Sequence, residues 1–436
     1  MLVLIYLRFW AKLQLKKNPR AIIIGVTGSA GKTSTRLAIV QILKSKGIVK
    51  HSIHANSESG IPLNILGLSL KTYSVIDWLR VISLAPLHYF FWKETYDYYV
   101  VEMGIDSPFP PKNMAFLLSI IKPDIAVVLG ASNNHAEAFD PLVKDTDPKR
   151  RSSKVVDLIA YHKMLLATTV SKDGASIINN DNAAIKPHIK DIQSRLLTFG
   201  KANSSSLRIL KSSLSRRGFN ATYEYQKNTY TLSLPDIFGL EYASTFAAAL
   251  GVAIALGIPL RQAIASLSLY RAPAGRMRVF AGIHDTHIID SSYNASPDTV
   301  FSTLSTIDLV APRNARLLIF GDMRELGSLS KSSHQKLAKV LAQRNDIMVL
   351  YGEMMTKYVA PSLMRTKKNV YNPQSMKELI VLVKKLLKPN MWILVKGSQN
   401  NILLERAVEA ILANKSDIPK LPRRGIYWDK IRLKTT

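Results

Sequence analysis

The sequence predicts an α/β protein built on mostly parallel sheets. Short β-rich apolar runs alternate with helical stretches from Ala21 onward, a glycine-rich turn separates the first run from a helix, and a second alternating series starts after a turn-rich break near residue 271. In the first series AIIIGVT (21–27), YYVVEM (98–103), IAVVLG (125–130) and ASIIN (175–179) read as strands, with helices between them, one opening at Lys32. Segments rich in Ser, Arg and Thr from Ser204 to Leu234 read as an antiparallel appendage. Beyond RAPAGR (271–276), HIID (287–290), RLLIFG (316–321), IMVLYG (347–352) and MWILVKG (391–397) read as strands of a second, Rossmann-like α/β unit. The expected division is an N-terminal helix over 1–20, a central nucleotide-binding domain over 21–273 and a C-terminal domain over 274–436, with the basic residues from Pro419 onward lying on the surface.

Composition narrows the chemistry. A chain of 436 residues, 47% hydrophobic, can bury more than one core. With no cysteine there is no disulfide, thiolate metal site or cysteine nucleophile, which suits a reducing compartment and a cytoplasmic location. The formal charge of +28, from 59 Lys+Arg against 31 Asp+Glu, attracts polyanions such as nucleotides or anionic lipid headgroups. No arginine-rich arm, zinc-knuckle spacing or RNP-type aromatic motif accompanies it, which argues against nucleic acid as the main partner.

Residues 1–15 form an amphipathic pattern. Arg8, Lys12 and Lys16 fall on one helical stripe, and Ile5, Phe9 and Leu13 on another. The segment is shorter than the roughly 20 apolar residues that span a bilayer and has no small-residue cleavage site. Two readings stay open: an interfacial helix with Trp10 at headgroup level, peripheral on the inner face of the cell membrane, or a helix packed on the protein's own core. The aromatic stretch Trp78–Trp92 extends the same surface in the first reading and is core in the second.

GVTGSAGKTST (25–35) follows a predicted strand and opens a helix, the context of a phosphate-binding loop. Backbone N–H groups of Gly28, Ser29, Ala30, Gly31 and Lys32 can wrap phosphate oxygens at a positive helix end, with Ser34 in the first turn. Lys32 reaches the β/γ-phosphates and Thr33 holds Mg²⁺. Val26 occupies the first glycine position of the general Walker pattern, so the motif is the shorter TGxxGKT form. Glu102 ends an apolar strand at the carboxyl edge, where α/β proteins place ligands and where a hard carboxylate suits Mg²⁺.

With these motifs the sequence resembles the Mur ligase family, whose loop is TGxxGKT. NSESGIPLNIL (56–66), VVEMG (100–104), IKPDIAVVLG (121–130), NNHAEAF (133–139) and INNDN (178–182) agree in order, and DSSYNASPDTV (290–300), FGDMRELG (320–327) and VKGS (395–398) look like the branch that adds D-Ala-D-Ala to the muramoyl tripeptide. The likeness runs from about residue 21 to 415.

The resemblance implies an ATP-dependent ligase that joins a carboxylate to an amine through an acyl phosphate in peptidoglycan precursor synthesis. It implies metal roles for Thr33, Glu102 and His135, a carbamylated Lys163, and cofactor contacts from Asn179, Asp181, Arg276, Asp290, Tyr293 and Asn294. Asp322, Arg324, Glu325, His334, Lys396 and Ser398 would surround the amine substrate. Three departures accompany it. The family's Lys-Gly-Ser-Arg reads Lys396, Gly397, Ser398, Gln399 here; its Gly-x-His-Asn reads Gly239, Leu240, Glu241, Tyr242; and only about 20 residues precede the loop domain, so either a partner would supply the sugar-binding grip or the acceptor would be bound differently, as at a membrane surface. The alternatives are a Mur-like ligase of polyglutamate or poly-amino-acid type and, from another class, a membrane-associated nucleotide-binding scaffold.

Overall fold

The computed structural model describes residues 1–53, 55–133, 136–397 and 402–434. The chain divides into two compact units, the first made of residues 1–212, 221–232 and 242–270, the second of 213–220, 233–241 and 271–436.

In the first unit, strands β1 (Ile22–Thr27), β2 (Val49–His51), β3 (Tyr98–Glu102), β4 (Ile125–Val128), β5 (Ala175–Asn179) and β6 (Arg195–Gly200) lie in the order β2-β3-β1-β4-β5-β6, all parallel. The central strands are near-continuous runs of Ile, Val and Ala because both faces are covered. The helices are α1 (Leu2–Leu15), α2 (Lys32–Leu43), α3 (Gly60–Ile65), α4 (Val75–Phe91), α5 (Met114–Ile120), α6 (Pro148–Thr168), α7 (Tyr242–Ala255) and α8 (Leu260–Leu267). The alanine-rich α7 lies along β5 and β6 and packs on α2, while α6 lies along β1 and β4. β1 has β3 on one side and β4 on the other, so the chain leaves its carboxyl end at a topological switch point, where an open α/β sheet forms its ligand crevice.

The Ser204–Leu234 region is not a separate appendage. Strand β7 (Leu207–Ser215) pairs parallel with β6, through Phe199 with Leu207 and Gly200 with Arg208, and β8 (Gly218–Tyr225) and β9 (Asn228–Leu234) continue the same nine-stranded sheet. The β8–β9 turn has positive φ at both Gln226 (50°) and Lys227 (64°), the twist a two-residue hairpin needs.

Helix α1 is docked on this unit. Leu7 and Ala11 are fully buried with Leu63 and Leu66 and with Val81 and Ala85 of α4. The Tyr6 hydroxyl donates to Ile82 O (3.1 Å), and Asn18 Nδ2 to Glu94 O (2.9 Å). Of the two readings of residues 1–15, core packing therefore accounts for one face of the helix; the other faces water. Among the described residues no helix is long and apolar enough to cross a membrane.

The second unit holds a six-stranded sheet. Strands β10 (Arg278–Gly282), β11 (Thr286–Ser291), β12 (Arg316–Gly321), β13 (Ile347–Tyr351), β14 (Val370–Tyr371) and β15 (Trp392–Lys396) lie in the order β10-β11-β15-β12-β13-β14, parallel except for the β10–β11 hairpin. Its helices include α9 (Pro297–Val310) and α10 (Ser330–Ala342). The expectation of a surface tail from Pro419 holds for Pro419, Lys420 and much of residues 425–433 and fails at 421–423. Leu421 is buried in the apolar core of this unit, and Arg423 is buried where its guanidinium meets the fully buried carboxylate of Glu405 at 2.8 Å.

Candidate functional site

The turn between β1 and α2 is shaped by two glycines. Gly31 caps α2 at φ 83°, a left-handed conformation that glycine adopts at no steric cost, and a Cβ on Gly28 would lie 2.8 Å from Leu129 Cβ on the neighbouring turn. Ser29 fixes the loop from the side: its N–H donates to Gly130 O (3.0 Å) and its hydroxyl accepts from Ser132 N (3.0 Å). Ala30 and Gly31 then lead into a helix whose first N–H groups carry the positive end of the dipole. Lys32 Nζ donates to Gly28 O (2.7 Å), folding back over the loop, and Ser34 O accepts from the Tyr270 hydroxyl (3.3 Å).

Thr33 Oγ1 donates to Glu102 Oε2 (3.0 Å), so the hydroxyl at the start of α2 and the acid at the end of β3 face each other. The other oxygen, Oε1, is held by Arg36 Nε at 2.7 Å, and the Glu102 N–H donates to Ser52 Oγ (2.9 Å). Arg36 also donates to His51 Nδ1, and burial, with the guanidinium next, pushes the imidazole down to about 4. Sequence reasoning named neither Arg36 nor His51; nothing in the linear sequence separates that arginine from other basic helix residues.

Lys163 lies on α6 and is 1% exposed. Burial, and then the ammonium of Lys32, hold it well below the ordinary lysine value, and the carboxylate of Asp106 opposes them. The structure thus brings Lys32, Thr33, Glu102 and Lys163 to one end of the sheet. His135 lies outside the described residues. The donor set fits magnesium: one hydroxyl and one carboxylate are hard oxygen ligands, and such a site leaves the remaining positions to phosphate and water. Among the described residues no three His, Asp or Glu side chains converge.

At the ends of β5 and β6 the INNDN segment is engaged by its neighbours. Asn179 Nδ2 donates to Leu129 O (2.8 Å), its Oδ1 accepts from Asp181 N (3.0 Å), and the Asp181 carboxylate accepts the N–H groups of Lys201 (2.8 Å) and Ala202 (3.1 Å). These residues brace the floor beside Gly130 and leave few lone pairs for a nucleoside.

In the second unit, Asp290 is fully buried at the end of β11; burial raises its carboxyl, while Oδ1 accepts the Ser292 N–H (3.0 Å). Two guanidiniums lie over the ring of Tyr293, Arg276 at 4.7 Å and Arg423 at 5.3 Å from its centroid. Lys396 donates to Asn294 O; burial, with Arg276 adding to it, holds it at about 7 against the carboxylates of Glu241 and Asp290. Asp322 accepts the Met355 N–H (2.8 Å). His334 Nε2 accepts from Met323 N (3.1 Å) and Nδ1 donates to Ser330 O (2.7 Å), which uses both ring nitrogens and fixes a neutral tautomer. Arg324 is exposed, Glu325 adopts φ 60°, and Ser398 lies outside the described residues. Arg423, unforeseen from sequence, is the residue that ties Tyr293 O (2.6 Å) and Glu405 together.

Comparison with known proteins agrees with this geometry. Residues 26–151 match the Mur ligase middle domain and 275–399 the Mur ligase glutamate ligase domain, together more than half of the chain. A protein of Synechocystis named UDP-N-acetylmuramoyl-tripeptide--D-alanyl-D-alanine ligase is 27% identical over 90% of this chain and 74% of its own length, and one of the same name from Bacillus subtilis is 24% identical over 89% and 76%. Among solved structures, the MurF ligase of Thermotoga maritima in complex with ADP superposes with TM-score 0.74 at 20% identity, covering 99% of this chain and 84% of that one. MurF from Acinetobacter baumannii gives 0.72 at 19%, covering 94% and 79%. The chain belongs to the Mur ligase family.

Proposed function

We propose that this chain is an ATP-dependent MurF-like ligase that joins the terminal carboxylate of a UDP-N-acetylmuramoyl-tripeptide to the amine of D-Ala-D-Ala in peptidoglycan precursor synthesis. The observation that carries the reading is the meeting of a phosphate loop, the Thr33–Glu102 pair and the buried Lys163 at one strand edge. A carboxylate is a poor electrophile until one of its oxygens carries a better leaving group. A carboxylate oxygen attacks the γ-phosphorus of ATP, the bond to the β,γ-bridging oxygen breaks, and ADP leaves. The deprotonated amine then adds to the carbonyl carbon of the acyl phosphate, and phosphate departs as the amide forms.

The protein's share is positioning and charge neutralisation. The amides of Gly28, Ser29, Ala30 and Gly31, with Ser34 in the first helical turn, cradle the phosphates, and Lys32 swings from Gly28 O to the transferring group. Thr33, Glu102, His135 and a carbamylated Lys163 would hold Mg²⁺, which supplies charge neutralisation on the phosphate oxygens. The depressed lysine favours the proposed carbamylation, in which its neutral amine adds to CO₂ and loses a proton, becoming an anion suited to a hard cation. Asn179 and Asp181 shape the nucleoside side. By likeness to the family, Arg276, Asp290, Tyr293 and Asn294 would serve nucleotide binding, and Asp322, Arg324, Glu325, His334, Lys396 and Ser398 recognition of the amine substrate. The need for ATP fits a cytoplasmic reaction.

The test is phosphate release from ATP with the purified chain, UDP-N-acetylmuramoyl-tripeptide and D-Ala-D-Ala, with product identified by mass. Turnover that requires both substrates and yields the dipeptide adduct is expected. ATP hydrolysis indifferent to any amine would remove the ligase assignment, and turnover only with glutamate or another amino acid would move the chain to the alternative specificity, which the named relatives do not favour.

A further inference from the structure

The inward faces of α1 and α4 are satisfied by the cluster around Leu7, Ala11, Val81 and Ala85, so apolar side chains on their outward faces contribute nothing to that core. The helices run side by side in the same direction, since Tyr6 reaches Ile82 O (3.1 Å) and Gln14 reaches Trp92 O (3.3 Å). On α1 the outward stripe reads Leu2 (83% exposed), Ile5 and Phe9 (55%); on α4 it reads Ile76 (79%), Leu79, Leu87 and Phe90 (67%). Trp10 joins the two stripes, its ring 5.3 Å from Phe9, 5.5 Å from Tyr89 and 6.1 Å from Phe90. A contiguous apolar face of this kind marks an interaction surface.

Charge identifies the occupant. The α1 stripe continues directly into Lys12 and Lys16, both exposed, and residues 1–20 carry Arg8, Lys12, Lys16, Lys17 and Arg20 with no acid. The one acid of α4, Asp77, is buried and paired with Arg80 at 2.7 Å. Aromatic and aliphatic side chains beside an unopposed lysine row, on a chain of net charge +28, are complementary to an apolar layer beneath negative headgroups. We infer that the α1–α4 face docks the protein on an anionic lipid bilayer. The helices lie in the interface with Leu2, Phe9 and Phe90 among the acyl chains and Lys12 and Lys16 at the headgroups; neither is long enough and apolar enough to cross.

Flotation of the full chain with vesicles of phosphatidylcholine containing about a third phosphatidylglycerol, against pure phosphatidylcholine, tests this without any dependence on turnover. Failure here therefore leaves the ligase assignment standing, and the converse holds too. Binding to the anionic vesicles alone is expected. Phe9→Ser with Phe90→Ser, and separately Lys12→Glu with Lys16→Glu, should each lower partitioning on the order of tenfold or more, with melting temperature and phosphate release unchanged. Three results overturn the inference: no difference between anionic vesicles and a lipid-free control, binding unaffected by the phenylalanine pair, or concentration-dependent self-association that the phenylalanine pair abolishes while vesicles bind nothing, which would make a second copy the occupant.

Discussion

The carboxyl edges of the two sheets carry comparable sets of charged motif residues in different states. In the first unit the set is built for something to arrive: Lys32 rests on a loop carbonyl, and among the described residues one oxygen of Glu102 is met only by the Thr33 hydroxyl and Lys163 is buried without a carboxylate in hydrogen-bond contact. In the second unit the groups are largely used up by the chain itself. Asp322 caps a backbone N–H, His334 spends both nitrogens on backbone, Lys396 holds Asn294 O, and Arg423 neutralises Glu405. Burying a charge without a partner costs several kcal/mol, so groups satisfied internally serve architecture first. The difference separates residues that await a ligand from residues that shape the wall around one.

The largest expected effects lie at the first edge. Lys32→Met should reduce amine-dependent phosphate release on the order of a thousandfold, by removing the cation closest to the transferred phosphoryl group, with melting temperature nearly unchanged. A loss below tenfold in stopped assays would show that the loop lysine is not at the chemistry. Lys163→Ala should cost on the order of a hundredfold and recover part of it with acetate or formate, which replace the missing carboxylate. Because burial and Lys32 hold the lysine below its ordinary value, a larger share of it is neutral amine than for an exposed lysine; acidification lowers that share, so activity should fall with a bicarbonate dependence that the alanine variant lacks. Full activity without bicarbonate in the variant would end the role.

The first edge was legible because its information is local. Gly28, Gly31, Lys32 and Thr33 sit within six residues, and the apolar run before Glu102 marks a strand end by itself. What stayed hidden depends on contacts distant in sequence. Arg36 becomes a clamp only because β3 brings Glu102 beside α2, 66 residues away. Arg423, in a tail whose basic composition read as surface, is buried because Glu405 and Tyr293 O wait for it. That β7 to β9 form short strands could be read from composition, but their membership of the main sheet rests on a two-residue register with β6. His334 shows the limit on the functional side: the resemblance implied a role for it, and its use by backbone could not be read from sequence.

That last residue sharpens the comparison. If His334 is architectural, His334→Ala should lower unfolding stability by about 2–4 kcal/mol, from a lost buried side chain and an unpaired Met323 N–H, while KM for D-Ala-D-Ala per folded molecule stays within about twofold. A raised KM at unchanged stability, measured by denaturant titration alongside kinetics, would instead return His334 to the amine site.

The smallest effect sets a histidine of the first edge against that one. His51 accepts from Arg36 through Nδ1, so its proton must be absent for the clamp on Glu102 to hold. Its folded pKa of about 4 lies below the ordinary 6.5, so on acidification the unfolded chain takes up the proton first. The contribution, about 2 kcal/mol after allowance for partial exposure, is fully present above pH 6.5 and is lost as pH falls toward 4. His334, also lowered by burial, adds to the loss below pH 6.5. His51→Gln should therefore flatten the acid limb of the stability curve and, at pH 5, retain more ATP affinity than the parent, because the amide oxygen still accepts from Arg36 and cannot titrate. An unchanged slope between pH 6.5 and 4 in urea unfolding would show that the imidazole does not govern the clamp, and that the first edge is held by contacts indifferent to the proton.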